Sequence, residues 1–177
     1  MYDAIVIGAR CAGAPLAMVL ARKGYRVLAV DRDTFPSDTL STSYLQGEAL
    51  ERLKRWGLFE AVVATGAPMA PTVARFGGMS VPLGPPGALT MAPRRTYLDA
   101  VLVEGARAAG AEVREGFSVL AVLRDGEGRV AGIRGRGPDG ATVEETARVV
   151  IGADGRNSLL ARSVEAAEYH VHEPTSV

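Results

Sequence analysis

Three things are scarce in this sequence, and each scarcity excludes a class. Among 177 residues there is one cysteine, Cys11, so no internal disulfide can form and a stapled secreted scaffold is excluded. Neither charge is in excess: 20 basic and 20 acidic residues leave a formal net charge of zero, which offers no long-range attraction for nucleic acid or an anionic membrane. No apolar run approaches the roughly 20 residues of a membrane span, and the first residues lack the charged start and cleavage site of a signal peptide. Histidines number two; neither falls in a serine–histidine–aspartate pattern and no G-x-S-x-G occurs, which argues against nucleophilic hydrolysis. The plain expectation that remains is a soluble, cytoplasmic α/β protein. Its 47% hydrophobic content is enough for a sizeable core and argues against disorder.

Glycine, at 21 residues, and proline, at 10, are plentiful and punctuate a readable chain. Residues 1–7 form a short run, β-branched at Ile5, Val6 and Ile7, as expected of a strand buried on both faces. From residue 12 to 23 the apolar positions Leu16, Val19 and Leu20 keep helical spacing, with Gly24 placed to end the helix. Residues 26–31 are a second strand, parallel to the first because a helix separates them. Residues 32–46 read as a polar loop. Leu45, Ala49, Leu50, Leu53 and Trp56 carry a helical stripe ended by Gly57, and Leu98, Val101, Leu102, Ala106 and Ala109 carry another stopped by Gly110. Between them, short strands are expected around 72–76 and 80–83, the second an edge because of Pro82. Further strands are expected at 112–117, 119–124, 130–136 and 142–151, with turn signals at Asp125-Gly126 and Asp139-Gly140.

The strongest local signal is the strand–turn–helix around Gly8-Ala9-Arg10-Cys11-Ala12-Gly13. A dinucleotide turn needs glycine where φ is positive, where backbone meets pyrophosphate, and where helix packs on strand. Gly8 and Gly13 fill the first and third places, while Arg10 occupies the second. Its side chain must therefore turn away from the phosphate or bind it. Asp31 ends the second strand, where a carboxylate can accept hydrogen bonds from an adenosine ribose and would repel a 2′-phosphate. A strand-terminal position predicts little contribution of Asp31 to the core.

With these residues in place, positions 3–31 resemble the N-terminus of FAD-dependent oxidoreductases of the glutathione-reductase-like type. Asp154, Gly155, Ser158 and Arg162 match, in order, the Asp-Gly motif of flavin monooxygenases related to para-hydroxybenzoate hydroxylase, which in that family lies at the flavin pyrophosphate and is linked to NAD(P)H binding. Arg95 to Leu98 is similar to the family's Arg-x-x-Leu, whose arginine reaches the cofactor phosphates. The resemblance implies an α/β, three-layer Rossmann-like FAD-binding core with a parallel sheet plus an antiparallel β layer. It implies FAD as cofactor, NAD(P)H as transient reductant, and hydroxylation of an aromatic or polyketide-like substrate by the flavin, with no catalytic side chain required. Cofactor contacts are implied at Gly8, Arg10, Cys11, Ala12, Gly13, Asp31, Arg32, Arg95, Asp154, Gly155 and Ser158. Residues 1–177 would be the N-terminal part of an FAD-binding domain, inactive alone, with about 68–93 an excursion toward a substrate domain in a C-terminal part expected beyond it. A geranylgeranyl-reductase-like enzyme, a flavin halogenase (whose tryptophan-rich signature is absent from residues 1–177) and a non-catalytic FAD or NAD module stay open as alternatives.

Other residues have plainer readings. The start of a helix favours a thiolate at Cys11, but packing is the better expectation. His170, His172 and Glu173 are expected to be solvated polar residues near a chain end rather than a metal site. Arg134 to Gly137 lacks stacking aromatics and is expected to be a hairpin edge rather than an RNA-binding tract. Asp38, Ser41, Thr42, Ser43 and Tyr44 fit ordinary loop chemistry, or contact with the flavin by resemblance.

Overall fold

The computed structural model describes residues 1–41 and 44–171, so Thr42, Ser43, His172 and Glu173 lie outside the described residues. The chain begins with β1 (Tyr2–Ile7), α1 (Gly13–Arg22) and β2 (Val27–Val30). Two helices follow, α2 (Gly47–Trp56) and α3 (Phe59–Val63), and then four short strands: β3 (Met69–Ala70), β4 (Val73–Phe76), β5 (Met79–Pro82) and β6 (Thr90–Met91). After α4 (Arg95–Ala108) come β7 (Glu112–Arg114), β8 (Ser118–Arg124), β9 (Val130–Arg136), β10 (Thr142–Gly152) and α5 (Leu159–Ser163).

The main sheet has the order β7-β2-β1-β10-β9-β8. Strands β7, β2, β1 and β10 are mutually parallel, whereas β8 and β9 run antiparallel. The joint is β10, which pairs with β9 through residues 142–146 and with β1 from Ala147 to Gly152. Alternation along β1 and β2 explains the layers. Val6, Val27 and Ala29 face a core built with Ala14, Ala17 and Met18 of α1 and Leu98, Leu102, Val103 and Ala106 of α4. Ile5, Ile7, Leu28 and Val30 face the other way, onto Phe117, Ile133 and Ala147. The expected three layers are thus helices, parallel sheet and antiparallel return strands. Ile5, Leu28 and Ile133 are fully buried, each contributing about 1.5–3 kcal/mol of transfer free energy.

The elements differ from expectation where tertiary contacts intervene. The strand expected over 112–117 stops at Arg114, because Gly116 N–H and Phe117 N–H turn to donate to the carbonyls of Asp33 and Asp31. The Phe117 ring then lies across β9 so closely that a Cβ on Gly135 would come within 2.1 Å of it. The edge expected at 134–137 is corrected: residues 134–136 pair with β10 on one side and β8 on the other, and the Arg134–Glu144 ion pair spans β9 and β10. The short strands pair as β3–β6 and β4–β5, and Phe76, Met79 and Leu83 on the second ribbon are exposed. Among the described residues, no helix is long and apolar enough to cross a membrane.

Candidate functional site

The carboxyl ends of β2, β1 and β10 lie side by side, and the strand connections diverge between β1 and β10. That topological switch point is where open α/β sheets form a ligand crevice. Two segments far apart in sequence meet there. Gly8 has φ of +94°, and a Cβ on it would come 2.4 Å from the carbonyl oxygen of Ala153. Ala153 N–H in turn donates to the carbonyl of Ile7 at 2.7 Å. On the other side of the turn, a Cβ on Gly13 would come 1.7 Å from the carbonyl oxygen of Gly8. Both glycines are therefore required by close backbone approach. The N–H groups of Arg10, Ala12 and Gly13 donate no hydrogen bond among the described residues, so the turn and the head of α1 present a set of free donors. Such a set suits an anionic diphosphate.

Asp31 is tied into this turn more firmly than its place at a strand end predicts. Its side chain is buried, its Oδ2 accepts from Ala9 N–H at 2.8 Å and its Oδ1 from Asp33 N–H at 3.0 Å. The expectation that it contributes little to the core is corrected by those bonds. Each carboxylate oxygen keeps a further lone pair for a ligand hydroxyl. Arg32 beside it is exposed.

Arg10 turns sideways. Its Nη1 donates to Asp99 Oδ2 at 2.6 Å, and its Nη2 donates to Asp33 Oδ2 at 2.7 Å and Ser37 Oγ at 3.0 Å. Its guanidinium also lies over the Phe35 ring, 5.2 Å from the centroid. Arg95 binds the same Asp99 with both Nε and Nη2 at 2.9 Å. Burial disfavours the charge on Arg10, but the bonds to Asp33 and Asp99 outweigh it and hold the group above its ordinary range.

Cys11 is an exposed residue whose thiol points inward, donating to Asp99 Oδ1 at 3.2 Å. Burial of the sulfur, then the negative charge of Asp99, pushes its pKa up to about 12. Burial first, and the neighbouring carboxylate second, thus outweigh the helix N-terminus that alone would favour a thiolate.

On the β10 side, Asp154 Oδ1 accepts from Ser158 Oγ at 2.6 Å, and Oδ2 accepts from Leu159 N–H at 2.6 Å. Ser158 Oγ accepts from Ala161 N–H at 3.0 Å, so the pair caps α5 and shapes the segment beside Gly8. Gly155 follows with φ of 79°. Arg162 folds back, its Nη1 donating to the carbonyl of Asn157. Next to Arg95, an open groove of about 600 Å³ is lined by Asp38, Leu40, Ser41, Pro93 and Arg94. Arg94 pairs with Asp38 across it and, with Thr39 N–H, holds that carboxyl below its usual range.

A profile describing the FAD binding domain matches residues 1–176. The chain belongs to this family. Protein FixC of Salmonella typhi is 31% identical over 179 residues, covering 95% of this chain and 40% of that protein. Rifampicin monooxygenase of Rhodococcus hoagii is 28% identical over 164 residues, 90% of this chain and 33% of that protein. Among solved structures, the FAD-dependent chondrochloren halogenase of a myxobacterium superposes with a TM-score of 0.80 at 28% identity, over 88% of this chain and 38% of its own. The chain thus spans about two-fifths or less of the length of these relatives. FAD is the cofactor of the domain, and the free donors of the turn and the buried Asp31 suit its adenosine diphosphate half.

The residues missed by reading the sequence are Asp33, Ser37 and above all Asp99. An acid four residues after Arg95, on a helix face apolar from Leu98 onward, was the available signal. No cluster of three potential metal ligands occurs among the described residues.

Proposed function

We propose that the chain supplies the adenosine–pyrophosphate half of the FAD site in an NAD(P)H-dependent monooxygenase acting on an aromatic or polyketide-like small molecule. The observation that carries this is the convergence of the Gly8–Gly13 turn, Asp31 and the Ala153–Asp154 segment at one switch point. When bound, FAD supplies the redox chemistry, taking electrons from NAD(P)H and passing them to oxygen. The chain's own part is binding and orientation. Backbone N–H groups of Arg10, Ala12 and Gly13 hold the pyrophosphate at the head of α1. Asp31 accepts from the ribose hydroxyls and repels a 2′-phosphate, with exposed Arg32 alongside. Arg95 adds positive charge, and Asp154, Gly155 and Ser158 border the site from β10. The ribbons within about 68–93 lead toward a substrate domain, and the exposed apolar side chains of β4 and β5 suit a covered surface. The likeness to rifampicin monooxygenase supports an oxygen-inserting reaction, while the superposition on a halogenase supports a second reading in which oxygen oxidises a halide and is itself reduced to water, so that halogen and not oxygen enters the product.

The test is substrate-dependent NAD(P)H oxidation by a flavin-loaded protein of the relatives' full length that carries this chain as its FAD-binding part, with product mass measured with and without bromide. Gain of one oxygen atom is the expected product; gain of bromine would favour the second reading. NAD(P)H oxidation that no aromatic substrate stimulates would overturn both.

A further inference from the structure

Arg10 stands where a dinucleotide turn ordinarily has its second glycine, and its side chain is committed to protein partners. Asp99, at 0% exposure, receives four donors on two oxygens: Arg95 Nε and Cys11 Sγ on Oδ1, Arg10 Nη1 and Arg95 Nη2 on Oδ2. That fills the acceptor capacity of a carboxylate. The other arm of the Arg10 fork reaches Asp33 and Ser37 in the segment after β2. One guanidinium therefore joins three separate pieces of chain: the glycine turn, the segment that follows Asp31, and the N-terminal half of α4. A buried charged cluster of this kind contributes little net stability compared with apolar packing, so fold stability alone does not account for it.

We propose that Arg10, anchored on Asp99 and Asp33, is a positioning residue that straps the glycine turn to the segment after β2 and to α4, presetting the adenosine–pyrophosphate half-site before FAD arrives. The inference rests on the FAD-site assignment above. It differs from direct phosphate binding, because the strap needs both arms of the fork whereas phosphate attraction needs only charge. Lysine distinguishes the two: it keeps the charge but cannot bridge two carboxylates held on different elements. Asp99→Asn removes the anchor at nearly constant volume and turns an amide donor toward an arginine.

FAD titrations on the full chain, with Arg10→Lys, Arg10→Met, Asp99→Asn and the Arg10→Met/Asp99→Asn double variant, test the strap. Each single variant should weaken FAD binding by about tenfold or more, and the double variant should be no more than about threefold worse than Asp99→Asn, because coupled residues are non-additive. Should Asp99→Asn fail to fold, Asp33→Asn on the outer arm gives the same comparison. Arg10→Lys that binds FAD like the parent, or losses that multiply in the double variant, would overturn the proposal. A readout without cofactor separates the two levels. In the FAD-free protein, Arg10→Lys should speed hydrogen exchange at the Ala9 and Asp33 amides while leaving β9 unchanged, and unchanged exchange there would sink the strap. A parent that fails to bind FAD would instead overturn the underlying site assignment.

Discussion

Replacing Asp31 with alanine should have two separable consequences. The carboxylate is 8% exposed and holds the N–H of Ala9, a residue of 0% exposure, at 2.8 Å. Asp31→Ala leaves that N–H buried without an acceptor, which costs about 1–3 kcal/mol. The second N–H, from Asp33, is partly exposed, so water can replace the lost acceptor and adds little to the cost. A domain stable by roughly 5–15 kcal/mol survives such a loss. Binding should suffer independently, since a charge-assisted bond to a ribose hydroxyl is worth about 1.5–3 kcal/mol, or roughly ten- to a hundredfold in Kd. Urea denaturation without cofactor measures the first effect, and FAD titration under conditions where the variant is folded measures the second. Asp31→Asn keeps one carbonyl oxygen able to accept from Ala9, so it should recover most of the stability and less of the affinity. If Asp31→Ala matched the parent in stability, the Ala9 bond would not be the constraint described. If it matched the parent in FAD affinity, Asp31 would be removed from the site.

Gly13→Ala should cost about 3 kcal/mol or more and lose FAD, because its Cβ would come 1.7 Å from the Gly8 carbonyl oxygen and overpacking of a rigid backbone is expensive; Gly126→Ala, which meets nothing within 4 Å, serves as the unaffected control, and equal denaturation midpoints would contradict this. The Cys11 thiol, raised to about 12 from 9.0, should react with iodoacetamide at pH 8 roughly a thousandfold more slowly than an unperturbed thiol, because only the thiolate attacks. Since the native state keeps that proton while the unfolded chain loses it near pH 9, this group's contribution to stability should fall as pH rises from about 9 to 12. Modification at the rate of a free thiol would refute both statements. Asp154→Ala removes the acceptor for Ser158 Oγ and Leu159 N–H, so it should cost about 1 kcal/mol, as other lost helix caps do, and raise exchange at Leu159 without disturbing β10; unchanged exchange would show that α5 does not depend on it.

The first βαβ unit is legible in the sequence because its determinants are local: a β-branched run, glycines at fixed places, an apolar helical stripe. The family resemblance is legible for the same reason, since its motifs are short and ordered along the chain. The break between β7 and β8 is not local. It follows from Phe117 crossing Gly135 and from the Asp31 and Asp33 carbonyls taking two N–H groups, contacts that exist only once the layers have closed. The partners of Arg10 were hidden for a similar reason. Position 10 marks a departure from the glycine pattern, but only the packing of α4 against α1 brings Asp99 beneath it. The helix α3 and the two-residue strands β3 and β6 are too short for periodicity to register.

The most direct test of the account is an equilibrium titration of the chain with FAD, followed by competition with ADP and with ADP carrying a 2′-phosphate. Saturable binding of one FAD per chain, displaced by ADP and far less by its 2′-phosphorylated form, is the result expected of a site that grips the adenosine diphosphate half at the ends of β1, β2 and β10. Absence of saturable FAD binding, or equal displacement by the two nucleotides, would contradict it.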